Sequence, residues 1–252
     1  MTFLVLNQTS RTPNRLRRIY RLQGMTLMEL LIAVGLVAIV ACLLLPALGM
    51  AKHLSESTKC IHHLRQTGTA IFAYTGDRNG RILPRYASDV PAQEAKGWPK
   101  RLISLGYIKD PSIVLCPSFL PKTLAETQRH PAIVDASEAY GMRRWVTPSE
   151  SWTAGDSHKA LAQVSSPSQF FLLADSIWLN WRAQGYGITA GSANQAIHLR
   201  HRDRANVLFL DGHVESKSAE YFEKISQTDT QYTGGKVLKL VTVTNAELEA
   251  NE

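Results

Sequence analysis

The chain lacks the short motifs that identify the common enzyme classes. Its 252 residues contain no glycine-rich phosphate loop, no Gly-x-Ser-x-Gly element, no HExxH and no CxxC pair. These absences remove the sequence signatures of nucleotide-binding loops, of many serine hydrolases and of common zinc enzymes. No internal repeat or low-complexity tract is present either. We therefore expect a protein that is not an enzyme.

Acidic residues are missing from the first 28 positions, although the whole chain carries a net charge of +7. Five arginines precede Glu29, so the remaining chain has 23 of the 28 basic residues against 21 acidic ones. The rest of the molecule is therefore close to neutral, and the basic composition does not predict nucleic-acid binding. The five arginines lie at positions 11, 15, 17, 18 and 21.

Charged side chains are also missing from residues 30–50, a run of 21 positions. As a helix this run is ~31 Å long, enough to cross the hydrocarbon core of a bilayer. The arginines on its N-terminal side place that end in the cytoplasm, since Lys52 and Glu56 cancel on the other side. We expect a single-pass protein of the inner membrane, with a periplasmic head of one modest core.

Glu29 stands at the start of this apolar run. A charged side chain at a membrane helix centre costs about 2.5–3.5 kcal/mol, and less near the interface. One interpretation is that Glu29 only marks the helix end. The other depends on Gly24: cleavage after it would leave Met25 with a free ammonium one helical turn from Glu29. A buried charge that finds its partner only in an assembly favours that assembly.

Residues 24–32 resemble the prepilin cleavage and methylation motif of type IV pilins and type II secretion pseudopilins. Family members usually have Phe where this chain has Met25, and many carry a helix-bending proline where Pro46 lies. In the family, the carboxylate at the position of Glu29 pairs with the N-terminal amine of a neighbouring subunit. The resemblance implies a prepilin peptidase, other pilin subunits and an inner-membrane assembly platform as partners.

A second resemblance lies near the C-terminus. His201, followed after nine residues by Asp211 and Gly212, is similar to the His–Asp-Gly motif of pseudopilin-like proteins from planctomycete and verrucomicrobial genomes. The companion segments of that family are matched by residues 60–66, 115–117, 139–142 and 172–176. Both resemblances imply an α+β, pilin-like fold, in which a long N-terminal helix packs on a small antiparallel sheet. Neither implies a known activity.

Two other processing sites compete with Gly24. Residues 49–51 loosely match a small-x-small signal peptidase site, but the apolar run is longer than a signal core. Residues 39–42 loosely match a lipoprotein box, but Leu43, Leu44 and Leu45 follow Cys42 where such a protein turns polar.

The organisation that we predict has five parts: a leader at 1–24, a membrane helix at 25–50, its amphipathic extension at 51–75, a head at 76–244 and a frayed tail at 245–252. The apolar face of the extension holds Leu54, Ile61, Leu64, Ile71 and Tyr74. In the head we expect short helices at 98–105 and 217–225, strands at 113–116, 170–175 and 236–244, and a hairpin of 205–210 with 213–216. Asp211 and Gly212 form its type I′ turn, with both residues at positive φ.

Cys60 and Cys116 face an oxidising compartment in this arrangement, so a disulfide between them is possible. Two separate buried thiols are the alternative, and the sequence does not decide between them. Cys42, inside the membrane run, is interpreted as a small apolar residue.

Histidines and acids crowd sixteen positions near the C-terminus: His198, His201, Asp203, Asp211 and His213. They raise the possibility of a metal site. The resemblance to secretion pseudopilins, some of which hold calcium with carboxylates of a C-terminal loop, makes Asp203 and Asp211 weak candidates for calcium. We favour a structural role, in which the ring of His201 bonds to a backbone group or to Asp175, and we expect no cofactor.

Four tryptophans are further candidates, either for a carbohydrate-binding surface or for packing of the head; they are Trp145, Trp152, Trp178 and Trp181. The function that the sequence favours is a structural pilin-like subunit. A membrane-anchored binding module is the alternative, and an anchored hydrolase is a weaker one.

Overall fold

A computed structural model describes residues 25–86, 97–119, 138–144, 161–180, 183–228 and 236–242. It forms two compact units, one up to Leu48 and one from Gly49 onwards. The predicted leader at 1–24, which includes Gly24, and the tail at 245–252 lie outside the described residues, as do Trp145, Trp152 and Trp181. Pro46 lies within a helix, but its side chain is not among those described.

The first element, α1, runs from Leu27–Asp77, which confirms the continuous helix predicted for 25–74. Its apolar side chains before Met50 are exposed all round; Leu36 and Val37, for example, are 60% and 68% exposed. By length and composition this helix is able to cross a membrane.

Residues that favour left-handed backbone end α1. Asn79 and Gly80 both have positive φ, at 56° and 74°. The Gly80 amide donates to the Thr75 carbonyl at 2.9 Å, which closes the last turn of the helix. Asparagine and glycine tolerate this left-handed backbone best, so the stop is encoded locally.

In the second unit, one face of α1 is buried against the head. Leu64, Ile71 and Tyr74 are fully buried there, as predicted, but Leu54 is 66% exposed and does not belong to the buried face. Gly68 lies where the helix approaches a strand closely, because a Cβ atom at this position would come within 3.0 Å of the Leu208 side chain.

The head contains two small sheets. A five-stranded sheet has the order β4-β1-β2-β6-β7, and a three-stranded sheet has the order β3-β5-β8. The pairs β1–β4 and β5–β8 are parallel and the others antiparallel. The strands are β1 Gly141–Arg143, β2 Phe171–Ala174, β3 Ser176–Trp178, β4 Gly187–Ile188, β5 Gln195–Leu199, β6 Arg204–Phe209, β7 Val214–Ser218 and β8 Leu240–Thr242.

The prediction of a single antiparallel sheet is therefore wrong, although the α+β class holds. The chain leaves the first sheet at Ala174 and enters the second at Ser176, so the single residue Asp175 connects the two. The sequence does not indicate this break. Because neighbouring residues of both strands are buried, the two strands follow each other without a change in the apolar pattern.

The central strands β2 and β6 of the five-stranded sheet are buried on both faces, apart from Arg204 at the start of β6. In β6 the side chain of Leu208 packs in the cluster that contains α1 and α2 (Trp98–Ser104). The alternate residues Val207 and Phe209 pack with Phe222 of α3 (Ala219–Thr228). The predicted central strand and the predicted helix at 98–105 are thus confirmed, as β2 and α2.

Three further predictions need correction. Residues 113–116 do not form a strand; Pro111–Val114 is a 3₁₀ turn, which Asp110 caps by accepting the Ser112 amide at 2.9 Å. The helix predicted at 217–225 begins later, because β7 continues to Ser218. The last strand, Leu240–Thr242, begins at 240 rather than at 236; positions 243 and 244 of the predicted strand lie outside the described residues.

The predicted two-residue type I′ turn at Asp211–Gly212 is also wrong. Only Gly212 has positive φ there, at 94°. The Phe209 amide donates to the His213 carbonyl at 2.9 Å, and the Gly212 amide to the Phe209 carbonyl at 3.0 Å. The loop therefore has three residues with a left-handed glycine last, the other common hairpin connection.

Candidate functional site

Helix α1 begins with a capping box, which the sequence analysis did not identify. The Thr26 hydroxyl accepts the Glu29 amide at 3.2 Å, and the Glu29 carboxylate accepts the Thr26 amide at 2.9 Å. This Thr-x-x-Glu arrangement satisfies two amides of the first turn of α1. Glu29 therefore has a local role in a single chain, whatever it does in an assembly. Met25, the predicted new N-terminus, is 66% exposed.

A second group of side chains meets inside the head, from four distant parts of the chain. Cys60 comes from α1, Cys116 from the segment after the 3₁₀ turn, Asp175 from the junction of β2 and β3, and His201 from the turn between β5 and β6. One potential ligand atom from each lies within 4.8 Å of all the others. All four residues are buried, so we call them the buried cluster.

The contacts within the buried cluster centre on one ring nitrogen. His201 Nε2 lies 3.1 Å from Asp175 Oδ2 and 3.3 Å from Cys116 Sγ. Cys60 Sγ lies 3.6 Å and 3.8 Å from the two Asp175 oxygens. The predicted contact between His201 and Asp175 is thus confirmed.

Backbone and side-chain bonds fix Asp175 in place. Its amide donates to the Asn206 carbonyl at 3.1 Å, and its own carbonyl accepts the His198 amide at 3.0 Å. Its carboxylate accepts the Asn206 amide at 2.8 Å. Because these partners lie on β6 and β5, Asp175 connects both sheets, and its side chain has little freedom.

A tight turn positions His201. Arg202 and Asp203 both have positive φ, at 54° and 57°, and the His201 amide donates to the Arg204 carbonyl at 2.9 Å. This is the two-residue geometry that was predicted nine residues further on, at Asp211–Gly212. Left-handed backbone costs an ordinary residue about 1–2 kcal/mol. The turn that aims the imidazole into the buried cluster is therefore strained.

Tyr140 and Gln184 support the thiols. The Tyr140 hydroxyl lies 3.3 Å from both the Sγ and the carbonyl oxygen of Cys60, and 3.2 Å from the Leu115 carbonyl. The Gln184 side-chain oxygen accepts the Cys116 amide at 3.1 Å and an Arg200 guanidinium N–H at 3.4 Å. The Arg200 Nε atom lies 3.9 Å from Asp175.

The charges of the buried cluster follow from these neighbours. Burial favours the neutral carboxyl of Asp175, but Arg200 and His201 outweigh it and lower its pKa. Burial also opposes charge on His201, yet its hydrogen bonds with Asp175 and Cys116 raise its pKa. Burial raises the pKa of Cys60. In the chain by itself, the cluster is a buried ion pair beside two thiols.

Cys60 and Cys116 are not bridged. The disulfide, which the sequence did not decide, is therefore absent. The alternative of two separate buried thiols is not met either, because both thiols lie in the buried cluster and interact directly. Cys42 is exposed on the apolar helix.

A Cys–His–Asp catalytic triad does not fit this geometry. In a triad the acid and the nucleophile use opposite nitrogens of the imidazole, so that one orients the ring and the other gives up its proton. Here Asp175 and Cys116 both approach Nε2 of His201. Cys116 is also only 3% exposed.

The other predicted residues contribute no ligand atom to the buried cluster. The exposed pair Asp211 and His213 interacts within its own loop, with Oδ1 and Nδ1 at 2.5 Å. Asp203 lies in the strained turn. The ring of His198 is buried, and among the described residues neither of its nitrogens has a partner. Burial lowers its pKa, and Arg200 adds to that effect.

The tryptophans that are described pack inside the head. Trp98 is fully buried and donates to the Tyr186 carbonyl at 3.0 Å. Trp178 is half-buried, with its ring 5.0 Å from that of Tyr186. Both support the packing interpretation.

Sequence reasoning missed the buried cluster because it searched one short stretch of histidines and acids. A usable signal was present. Four of the family-like segments each supply one cluster residue, and a fifth supplies Tyr140, which bonds to Cys60. Comparison with family models, with curated proteins and with solved structures finds no match to this chain.

Proposed function

We propose that this chain is a structural pilin-like subunit that is processed by a prepilin peptidase and assembled into a type IV pilus-like or type II secretion filament. The observation that carries the proposal is the motif of Gly24 and Glu29 at the start of α1. A peptidase site, a carboxylate and a long apolar helix are all needed for this function. A plain membrane anchor needs only the helix.

The exposed surface of α1 supports assembly. Its first unit presents apolar side chains in every direction. Lipid covers such a surface before assembly, and helices of neighbouring subunits cover it in a filament. The proposed orientation puts the N-terminus in the cytoplasm and the head in the periplasm, because the arginines precede the helix.

The head is compatible with a pilin-like fold. In the second unit, the buried face of α1 packs on a small sheet through Gly68 and Leu208. Its described tryptophans are packed rather than exposed as a binding surface. A membrane-anchored binding module that never assembles is the alternative that the tests below address.

The mature N-terminus tests the proposal. We expect mass spectrometry of the protein from its native membrane to find a chain that begins at Met25 with a methylated amine. Gly24→Ala should slow processing at most, whereas Gly24→Leu should block it, because the peptidase must accommodate the residue before the cleaved bond. An intact leader, or a chain that begins at Cys42 or Lys52, would contradict the proposal.

A further inference from the structure

We propose that Cys60, Cys116, Asp175 and His201 form a tetrahedral zinc site inside the head. Cysteine thiolates, an imidazole and a carboxylate are the ligands that zinc takes in proteins, and structural sites use four of them. The chain supplies two cysteines, one histidine and one aspartate. The site differs from the group of histidines and acids that the sequence suggested, and it shares only His201 with that group.

The spacing of the ligand atoms fits a metal at their centre. Zinc bonds of about 2.0–2.3 Å at tetrahedral angles put neighbouring ligand atoms ~3.3–3.8 Å apart. The observed separations are 3.1 Å for His201 Nε2 and Asp175, 3.3 Å for His201 Nε2 and Cys116, and 3.6 Å for Cys60 and Asp175. The other pairs of ligand atoms lie within 4.8 Å of each other, so small shifts of these side chains would accommodate the ion.

The orientation of the groups also favours a metal over a hydrogen-bond network. Asp175 and Cys116 both face Nε2 of His201, and a single N–H bonds well to only one acceptor. A cation at the common centre satisfies all three groups at once. It also gives the Cys60 sulfur a bond of its own in place of the long hydrogen bond that its weakly donating S–H makes to Asp175 at 3.6 Å.

The charge is balanced by a divalent ion. Two thiolates and one carboxylate carry three negative charges, which Zn²⁺ reduces to one. The buried guanidinium of Arg200, with Nε 3.9 Å from Asp175, balances that last charge. Burial of an unbalanced charge would be costly, so the position of Arg200 is consistent with this ligand set.

The ligand types select zinc among the common divalent ions. Calcium and magnesium take oxygen ligands, and this site offers oxygen from Asp175 alone. Two sulfur ligands with imidazole in a tetrahedral arrangement are typical of zinc. The Asp203 and Asp211 pair considered for calcium contributes no atom to the buried cluster.

The site has a structural role by its construction. Four protein ligands leave no open position for a substrate, which is the pattern of a structural zinc. The ion would tie α1 to three segments that are far apart in sequence. A cleft lined by His53, Ser57, Ser118 and Arg200 reaches His201 and provides a path by which the metal enters.

Metal analysis of the full-length protein tests the proposal. The protein is purified from membranes in detergent under reducing conditions and loaded with Zn²⁺. We expect one zinc per chain, and X-ray absorption at the zinc edge should give two sulfur and two nitrogen or oxygen neighbours. Replacement by Co²⁺ should give a thiolate charge-transfer band and the intense visible bands of a tetrahedral site. Chelation should lower the melting temperature.

Each of the three ligand types has a matched control elsewhere in the chain. Cys60→Ser, Asp175→Asn and His201→Ala should each weaken zinc binding by more than ~10-fold, since loss of a second-shell partner alone costs about 10–100-fold. Cys42→Ser, Asp211→Asn and His213→Ala should keep it. The controls change the same residue types at exposed positions outside the buried cluster.

The wild-type measurements do not depend on whether a variant folds. Failure of the reduced full chain to bind added zinc would overturn the proposal. So would a zinc shell without sulfur, or equal loss of metal in His213→Ala and His201→Ala. A Cys60–Cys116 disulfide in protein taken from the native membrane without reduction would also overturn it.

Discussion

At the scale of single residues, Glu29 has two explanations that make different demands on its side chain. As the residue at position N3 of the capping box, Glu29 needs only a side-chain oxygen that accepts a hydrogen bond from the Thr26 amide. As the partner of a neighbouring subunit's ammonium, it needs a negative charge. Glutamine meets the first demand and not the second, so the two explanations can be separated by substitution.

We predict that Glu29→Gln inserts normally but assembles poorly, because it keeps the helix cap and loses the charge that pairs with Met25 of a neighbour. Thr26→Ala is the matched control: it removes the cap, at a cost of about 0.5–2 kcal/mol to the helix terminus, and keeps the charge. Crosslinking and shear fractions measure assembly. Wild-type assembly of Glu29→Gln, or equal defects in both variants, would contradict the pairing.

His201 shows what the sequence allows at this scale. Its contact with Asp175 was predictable, because a buried imidazole needs a partner and Asp175 ends an apolar strand. The approach of two thiols to the same side of the ring could not be predicted. Cys60 and Cys116 are 56 positions apart in the chain, and only the packing of α1 against the head brings both to His201.

At the scale of elements, the two-residue turn with positive φ precedes β6, whereas the sequence predicts it after β6. Asp-Gly is the preferred pair for a type I′ turn, yet the two-residue turn with positive φ throughout is Arg202–Asp203. The Asp-Gly pair instead ends a three-residue loop. Strand pairing fixed the register of β6 with β7 and required one more residue in that loop.

The positive φ of Asp203 and of Gly212 predicts opposite changes in stability when glycine is introduced at 203 and removed at 212. Asp203→Gly should raise the free energy of unfolding by ~0.5–1 kcal/mol, since glycine adopts positive φ without the steric cost. Gly212→Ala should lower it by about 1 kcal/mol, because the same cost is introduced. The added Cβ would also lie 3.3 Å from the Phe72 ring. Thermal melts of the two full-length variants in detergent measure both changes in the free energy of unfolding. A destabilised Asp203→Gly would show that the Asp203 side chain has a role of its own.

At the scale of the whole molecule, the two units differ in what stabilises them. Among the described residues, the buried hydrophobic side chains lie from Cys60 onwards, whereas the apolar residues up to Leu48 are exposed. The second unit therefore has its own hydrophobic core, whereas the described residues of the first unit bury no apolar side chain that could stabilise it.

We predict that a fragment that begins at Ala51 leaves the membrane fraction and unfolds cooperatively, because it retains the core and all four residues of the buried cluster. The full chain should stay in the membrane fraction after a high-salt wash. Fractionation and circular dichroism measure the two properties. A fragment that stays with membranes, or that melts without cooperativity, would place part of the core's stability in the first unit.

The sequence by itself determined the features that depend on neighbouring residues along the chain. The apolar run, the length of α1, its stop at Asn79 and Gly80, and the central strand β2 all follow from local composition and periodicity. The proposed processing motif of Gly24 and Glu29 is of the same kind, because a peptidase would read a linear segment. These features need no tertiary contact to be specified.

Tertiary structure decided what depends on residues far apart in sequence. The division into two mixed sheets follows from the partners that β2 and β3 find on either side of Asp175. The buried cluster exists because that junction, α1, the segment at Cys116 and the turn at His201 pack around one point. No local pattern encodes such a meeting, since it depends on the closure of long loops that only the complete core stabilises.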